Sequence, residues 1–389
     1  MHKTLKWCLA FGAVSLLAAA MVTGCQRVGE TGDGKVKLSF QIWDTAQRNG
    51  MESVAKAYMD RNPDVVIDVQ VTSWDEYWTK LDAAAESNQL PDIFWMHTNQ
   101  ILKYADYGKL ADVTDLYDQE DPDYYTKHFS EISLNNAKGS DGRIYGVPKD
   151  KDTVCLVYNR EMFDNAGLAY PDDSWTWDDL TEASAAIYDK TGKYGFMAYA
   201  DEQLGYWNFV YQAGGHILNE DKTKAGFMDP ATRKGMEFYI HLQKEPWCPD
   251  QKYFAETNPG TAFISGQGAM YLEGNWNLMS MMENNKDMEG KWDVAVLPKC
   301  PDPLNGDGRA TISNGLCYAT GAKGKKLEHA KDFLKFAGSE EGQRAQGLSG
   351  AAIPAYEGLE HTWVQAFSQF DYKLDVQKCV DMFPYGVQS

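Results

Sequence analysis

The stretch from Gly146 to Asn159 constrains the fold most, because a charged turn there runs directly into an apolar segment. Asp150 and Asp152 lie in the turn, and Val154 to Tyr158 has the composition of a buried strand. The chain on each side of this stretch alternates between strand and helix patterns. Two α/β lobes with a crossing between them would place both carboxylates at an interlobe cleft. A surface turn before a buried strand explains the same residues.

Length and composition allow two domains and make some partners unfavourable. The chain has 389 residues, of which 43% are hydrophobic, and this is enough for two separate cores. Its formal net charge is −19, and no run of Lys and Arg occurs. Nucleic acid and anionic lipid surfaces are therefore poor partners, and we predict no nucleic-acid binding.

Strand and helix periodicities alternate before the crossing. Val36–Ile42 and Val65–Val71 have the alternation of half-buried strands, and a helical pattern follows each. Ser73 and Glu76 have the spacing of a capping box for the second of these helices. The apolar run Ile93–Met96 then predicts a third strand. This order favours a mainly parallel sheet, with ligands beyond the carboxyl ends of its strands.

A second set of strands and helices follows the crossing. Helices are predicted to begin after Thr176 and after Asp229, which Pro230 follows. Strands are predicted at 194–199, 269–272, 293–297 and 311–320, and two last helices at 330–337 and 340–346. We divide the chain into a targeting segment 1–24, a flexible tether 25–35, a first α/β lobe of 36–147 plus 296–322, and a second of 148–295 plus 323–389.

The N-terminal segment has the composition of a targeting signal. Basic residues precede an apolar run from Trp7 to Val22. Val22-Thr23-Gly24-Cys25 resembles the bacterial lipobox, which implies lipid attachment at Cys25 and a place on the outer face of the membrane. An ordinary secretory signal or an uncleaved membrane anchor would explain the apolar run without Cys25.

Neither the cysteines nor the acidic loops indicate a metal or a cofactor. Beyond Cys8 and Cys25 the cysteines are scattered and odd in number: Cys155, Cys248, Cys300, Cys317 and Cys379. No CxxC pair occurs, so we expect most of these thiols to be buried as small apolar groups. The loop around Asp302 to Gly308 lacks the spacing of a calcium-binding hand. We predict no metal ion and no cofactor.

Aromatic and planar polar side chains recur at the predicted strand ends. Sugar recognition needs aromatic faces for the C–H surface of the ring and planar groups for its hydroxyls. Trp95 lies in an apolar strand and fits a core position equally well. The side chains that we predict to line a cleft are Trp43, Asp44, Trp95, His97, Asn99, Asp152, Glu202, Tyr206, Asn275, Trp276 and Asn314.

The acidic residues of the chain also fit two other functions. Asp44, Asp152, Glu202 and Glu273 could supply the two carboxyl groups of a lipid-anchored glycosidase, which lie roughly 5–10 Å apart. The chain has no Walker A, HExxH or GxSxG motif. Carboxylates that line a sugar site also serve as hydrogen-bond acceptors, so we predict binding without catalysis. A binding protein for a peptide or a polyamine would also suit these acidic groups.

The chain resembles the maltose-binding-like family 1 of extracellular solute-binding lipoproteins, which serve ABC importers. The resemblance lies in the order and spacing of 40–44, 91–95, 145–159, 269–276, 295–298 and 350–356. It implies a monomer with the two-lobed, class II periplasmic-binding-protein fold, in which hinge strands let the lobes close on a carbohydrate for delivery to a membrane permease. By position, Trp95 and Trp276 resemble stacking residues, and Asp152 and Glu202 resemble acidic ligand residues.

Two departures from the family pattern affect these expectations. Leu204 stands where the maltose binder has an aromatic residue, so maltose itself is not the expected ligand, although Tyr206 is near enough to replace that ring. The chain ends at Ser389, before a further segment that the family normally has. We therefore expect a truncated second lobe.

Overall fold

The computed structural model describes residues 34–219 and 223–388, so the predicted targeting signal and the predicted lipid attachment at Cys25 lie outside the described residues. Its strands are β1 (Val36–Ile42), β2 (Val65–Val71), β3 (Ile93–His97), β4 (Val147–Pro148), β5 (Val154–Asn159), β6 (Tyr194–Phe196), β7 (Gly268–Gly274), β8 (Trp292–Ala295), β9 (Thr311–Ile312), β10 (Leu316–Ala319) and β11 (Gly386–Val387). In this part of the chain, no helix has the length and apolar character that a membrane span requires.

The part of the chain that the structure describes also contains sixteen α-helices. They are α1 (Arg48–Arg61), α2 (Trp74–Glu86), α3 (Thr98–Asp106), α4 (Tyr124–His128), α5 (Glu131–Asn135), α6 (Arg160–Ala166), α7 (Trp177–Thr191), α8 (Trp207–Gln212), α9 (Pro230–Leu242), α10 (Gln251–Glu256), α11 (Pro259–Ile264), α12 (Leu278–Asn284), α13 (Leu327–Ala337), α14 (Glu340–Leu348), α15 (Glu360–Ala366) and α16 (Gln377–Asp381). The capping box of Thr176 and Asp179 is present, whereas Ser73 makes no side-chain cap bond. The mixed α/β class is as predicted.

Each lobe contains one mixed sheet. In the first, the strand order is β2-β1-β3-β10-β4; β1 is parallel to β2 and β3, and β10 is antiparallel to β3 and β4. In the second, the order is β6-β7-β5-β8, and only β6 and β7 are parallel. The mainly parallel arrangement that we expected before the crossing holds for β1, β2 and β3, whereas the second sheet is mainly antiparallel. Strand β5 enters it directly from the other lobe, without the helical crossover that parallel neighbours need.

The two sheets have separate cores. Phe40, Trp95 and Tyr318 belong to the first core. Strand β5 is covered on both faces in the second lobe, because Leu156 packs with one apolar cluster and Cys155 with another. The second lobe is therefore a layered α/β unit in its own right.

The C-terminal helices are distributed differently from the expected division of the chain. Phe333 of α13 lies in the first core, and α14 packs against α1. Only the later residues, such as Trp363 of α15, join the second core. The assignment of 323–389 to the second lobe is thus wrong for α13 and α14. Their helical periodicity shows that one face is buried, but it does not show which sheet covers that face.

The chain crosses between the lobes from α14 to α15 and, in addition, in two short segments, one from β4 to β5 and one from β9 to β10. The carboxylates of Asp150 and Asp152, which we call the carboxylate clamp, join these segments. Oδ1 of Asp152 accepts the backbone N–H groups of Asn314 at 2.6 Å and Gly315 at 2.8 Å. Oδ1 of Asp150 accepts the N–H of Leu316 at 2.7 Å. The clamp therefore holds the two crossings side by side.

The clamp explains why the single strand predicted for 311–320 is divided into two. Gly315 has φ of +69°, a left-handed conformation that interrupts the extended chain. A Cβ atom at this position would lie 2.7 Å from the carbonyl oxygen of Asp150. Glycine thus allows the second crossing to approach the first closely enough for its N–H groups to reach the carboxylates.

The charges of the clamp are buried. The ammonium of Lys149 pairs with Asp150, bonds Gln47 Oε1 at 2.9 Å, and lies 4.5 Å from the centre of the Trp95 ring. Asp152 has no such cation. Its burial, with the neighbouring Asp150 charge, raises its pKa to about 7, although the backbone N–H groups act in the opposite direction.

Replacement of Gly195 tests the packing of the second lobe. A Cβ atom on Gly195 in β6 would lie 2.3 Å from the Cα of Ser184 in α7. Gly195→Ala should lower the free energy of unfolding by about 1–3 kcal/mol, because the helix has to move away from the strand. The control is Gly324→Ala, where a Cβ atom meets nothing within 4 Å. Equal stability of both variants in urea unfolding would contradict this packing.

The raised pKa of Asp152, about 7, predicts a pH-dependent stability. In the unfolded chain this carboxyl loses its proton near pH 4. Between these pH values the folded protein keeps a proton that the unfolded chain has released, so its stability falls as pH rises. Asp152→Asn keeps the Oδ1 acceptor and cannot ionise. Its advantage over the wild type in urea unfolding should grow from pH 4 to pH 8, by up to about 4 kcal/mol.

Asp152→Ala is the matched control for this experiment. It removes the acceptor together with the charge, which leaves the N–H groups of Asn314 and Gly315 without their partner. This variant should be less stable than Asp152→Asn at every pH. If Asp152→Asn and the wild type instead give parallel pH profiles, Asp152 does not titrate in this range.

Candidate ligand-binding groove

A groove with a volume of about 380 Å³ lies at the crossing between the two lobes. Its walls combine residues that follow strands of the first sheet, residues of the two crossings, and residues that follow β7 in the second lobe. They are Trp43, Asp44, Gln47, Trp74, His97, Asp150, Asp152, Gln203, Asn275, Trp276, Asn277, Leu316 and Ala352. The groove therefore takes side chains from both lobes, at the ends of strands.

The first lobe contributes an aromatic wall made of Trp43 and Trp74. The Trp43 ring lies 5.1 Å from the Trp74 ring in an edge-to-face arrangement. Trp95 lies behind them, 5.1 Å from Trp43, and is completely buried. The prediction that Trp95 stacks on a ligand is therefore wrong in this structure. Strand β3 has neighbours on both sides and the Trp95 side chain is completely covered, so Trp95 does not reach the groove, whereas His97 at the end of the strand does.

The second lobe contributes Trp276 in the turn after β7. A Cβ atom on Gly274 would lie 2.3 Å from the Trp276 ring, so the glycine lets the indole lie flat across the backbone. Both lobes thus contribute indoles to the lining of the same groove, Trp276 from the second lobe and the Trp43–Trp74 wall from the first.

Asn275, beside Trp276, presents an unused hydrogen-bond donor. Its side chain is fully buried, and its Oδ1 accepts the N–H of Thr153 at 3.2 Å. Its Nδ2 is buried and has no partner among the described residues. A buried donor without an acceptor costs free energy, so an acceptor atom in the groove would stabilise it.

His97 is a neutral groove residue. Burial lowers its pKa to about 4, so the imidazole is uncharged near neutral pH. Its Nδ1 accepts the backbone N–H of Asn99 at 3.2 Å. A neutral imidazole that accepts at Nδ1 carries its proton on Nε2, so the other ring nitrogen is a donor. Asn99 therefore orients His97 through its backbone.

The carboxylates of the groove are already engaged. Asp44 accepts the N–H of Ala46 at 2.8 Å and the Nε2 of Gln47 at 3.0 Å. Asp152 forms the clamp and bonds Gln203 at 3.3 Å. Glu273 lies outside the lining, and its burial raises its pKa. Within the described residues, no group of His, Cys, Asp and Glu is placed to hold a metal ion.

Several predicted residues do not line the groove. Asn99 and Glu202 are exposed outside it, and Tyr206 packs against the second core beside Leu204. Asn314 is buried at the clamp and lines a second cavity of about 240 Å³. The remaining predicted residues, Trp43, Asp44, His97, Asp152, Asn275 and Trp276, are brought together in the groove.

Of the other lining residues, only Asp150 was expected at the cleft from the sequence. Trp74 is the first residue of α2 and is 41% exposed. A tryptophan among the polar residues that begin this helix is the sequence signal that could have identified it. Gln203 takes the place expected for Glu202. The wide turn Glu202–Tyr206 is kinked at Leu204 and Gly205. No local sequence pattern predicts that kink. Nothing in the sequence around Gln47 and Asn277 indicates that these residues line the groove.

Known proteins with similar sequences are bacterial binding proteins. Residues 43–344 match the family described as bacterial extracellular solute-binding protein. The diacetylchitobiose-binding protein DasA of Streptomyces coelicolor is 23% identical over 86% of this chain and 77% of its own. The arabinooligosaccharide-binding protein of Bacillus subtilis is 24% identical over 87% of this chain and 78% of its own.

Solved structures share the fold at similarly low identity. An ABC substrate-binding protein of Listeria monocytogenes, in complex with cycloalternan, has a TM-score of 0.78 and 23% identity over 91% of this chain and 88% of its own. The GacH receptor of Streptomyces glaucescens has a TM-score of 0.77 and 21% identity over 91% of this chain and 87% of its own. Because the family match extends over more than half of its length, the chain belongs to the bacterial extracellular solute-binding protein family.

Proposed function

We propose that the protein binds a carbohydrate in the groove and delivers it to the membrane permease of an ABC importer. The observation that carries the proposal is the presence of Trp276 and the Trp43–Trp74 wall on opposite sides of one groove. Flat indoles match the C–H faces of a sugar ring, and amide and imidazole donors match its oxygens. The names of the relatives, which include binders of several oligosaccharides, support the same ligand class.

The charges around the groove favour a neutral ligand. Its carboxylates already accept protein N–H groups, and Lys149, which pairs with Asp150, is buried. A peptide carboxylate would find no unpaired cation among the lining residues, and a polyamine would have to compete for engaged carboxylates. The unused donor of Asn275 fits a hydroxyl or ring oxygen instead.

The proposed mechanism is a shift between open and closed arrangements of the lobes. A ligand that contacts Trp43 and Trp276 together gains more free energy in the closed state, so it increases the population of that state. The permease would recognise the closed form. We propose that the protein acts as a monomer on the outer face of the membrane and does not cleave its ligand.

Loss of the Trp276 indole tests the binding site. Trp276→Ala should weaken carbohydrate binding by about 10- to 100-fold, because it removes an apolar contact of roughly 1.5–3 kcal/mol. Calorimetric titration of the chain from Gln26 onward with mono- and oligosaccharides measures the loss. The control is Tyr107→Ala, an exposed aromatic residue of the first lobe outside the groove, which should bind like the wild type.

The same titrations distinguish the alternatives. A folded wild-type protein that binds no saccharide but binds a peptide or a polyamine would refute the carbohydrate proposal. Chromatography of the sugar after long incubation should return it unchanged. Products that appear with the wild type and disappear with Asp152→Asn would instead indicate a glycosidase.

The proposed lipid anchor at Cys25 has a separate test. Cys25→Ser should release the protein from the membrane fraction into the medium, because the thiol that would carry the diacylglycerol is gone. Incorporation of a labelled fatty acid should be lost at the same time. Labelling that persists in the variant would refute attachment at Cys25, and it would leave the binding function untouched.

A further inference from the structure

Two buried cysteines from distant parts of the chain meet in the second lobe. Cys155 lies in β5 and Cys379 in α16, and both side chains have no exposed surface. Both belong to the apolar cluster on one face of the second sheet. Thr153, two residues before Cys155, donates its hydroxyl to the carbonyl oxygen of Cys379 at 2.8 Å. The strand and the helix are therefore fixed against each other at this point.

Both cysteines are free thiols in this structure. Burial and the nearby Cys155 side chain raise the pKa of Cys379 well above its ordinary value. Cys155 Sγ also lies 3.6 Å from the carbonyl oxygen of Glu273. Two further buried cysteines have backbone partners. Cys248 Sγ lies 3.4 Å from the N–H of Ala198, and Cys317 Sγ lies 3.9 Å from a carbonyl oxygen.

We propose that Cys155 and Cys379 form a disulfide when the chain folds in the presence of a disulfide oxidant. The proposal rests on the proposed function only for the place where that oxidant is met, because disulfides persist outside the cytoplasm. The enclosure of both cysteines in one apolar cluster and the hydrogen bond from Thr153, two residues before Cys155, to the carbonyl oxygen of Cys379 support it.

The chemistry balances as a thiol–disulfide exchange. With oxidised glutathione as the oxidant, one cysteine thiolate attacks it, forms a mixed disulfide and releases one glutathione thiol. The second cysteine thiolate then displaces the other glutathione. The two cysteines together lose two protons and two electrons, and one oxidised glutathione becomes two reduced molecules. Because both thiols are enclosed in the folded lobe, the exchange takes place before α16 packs against β5.

The bond would fix the C-terminal part of the chain to the crossing. Strand β5 begins directly after the clamp residue Asp152 and Thr153, and β11, which follows α16, pairs with β9 at the start of the other crossing. A link from Cys155 to Cys379 would thus hold α16 beside the hinge in both open and closed states.

Peptide mapping tests the proposal directly. The full chain, purified in detergent, is unfolded in guanidinium, refolded with oxidised glutathione, alkylated and digested without reductant. Mass spectrometry should then find the peptides of Cys155 and Cys379 joined. Alkylated thiols at both positions, or a different pairing of either cysteine, would overturn the proposal. A saccharide titration of the same sample reports the binding function separately.

Thermal unfolding provides a second measurement. Reduction of the oxidised wild type should lower its Tm by roughly 5–10 °C, since a disulfide that closes a long loop stabilises the fold. Cys379→Ala should show no response to reductant. Cys248→Ala, which removes a buried thiol with a backbone partner, should keep the full response. A wild-type Tm that does not change on reduction would count against the bond, and the mapping remains decisive if Cys379→Ala fails to fold.

Discussion

The structure depends on the bonds by which two buried carboxylates hold the interlobe crossings together. Three consecutive backbone N–H groups, those of Asn314 to Leu316, point away from any strand partner and are satisfied by Asp150 and Asp152. Buried N–H groups need acceptors, and the carboxyl oxygens of Asp150 and Asp152 supply them. Removal of the clamp would leave these groups unsatisfied at the position where both lobes are joined. The groove floor and the hinge are therefore built from the same atoms.

This arrangement separates the parts that move from the parts that stay fixed. The clamp bonds run from one crossing to the other, so a rotation of the lobes about the crossings does not have to break them. Trp43 and Trp74 lie on one side of the crossings, and Asn275 and Trp276 lie on the other. In the proposed mechanism, a ligand that joins the two sides adds contacts only on closure, and it would also supply the acceptor that Asn275 Nδ2 lacks among the described residues. The free energy of ligand binding then also favours the closed arrangement of the lobes.

The sequence predicted correctly the elements that depend on neighbouring residues. It did not predict features that depend on packing between distant parts of the chain. The alternation of Val36–Ile42 and the spacing of Thr176 and Asp179 gave a strand and a capped helix, because both depend on neighbouring residues. Trp95 illustrates the failure. Its apolar strand fitted a core and a ligand wall equally well, and the strands on both sides of β3 decided for the core. Helix α13 had a correct periodicity, but the sheet that covers it could not be read from its own residues.

The clamp also explains why a perturbed carboxyl in this groove does not indicate catalysis. A glycosidase needs one carboxyl group free to give up a proton and another free to attack or to activate water. The pKa of Asp152, about 7, resembles that of a general acid. However, its Oδ1 accepts two backbone N–H groups, and its Oδ2 accepts the amide of Gln203. Asp44 is similarly engaged with its own loop. Burial of a structural carboxyl also raises its pKa without any catalytic role; here burial and the neighbouring Asp150 charge account for the raised pKa of Asp152.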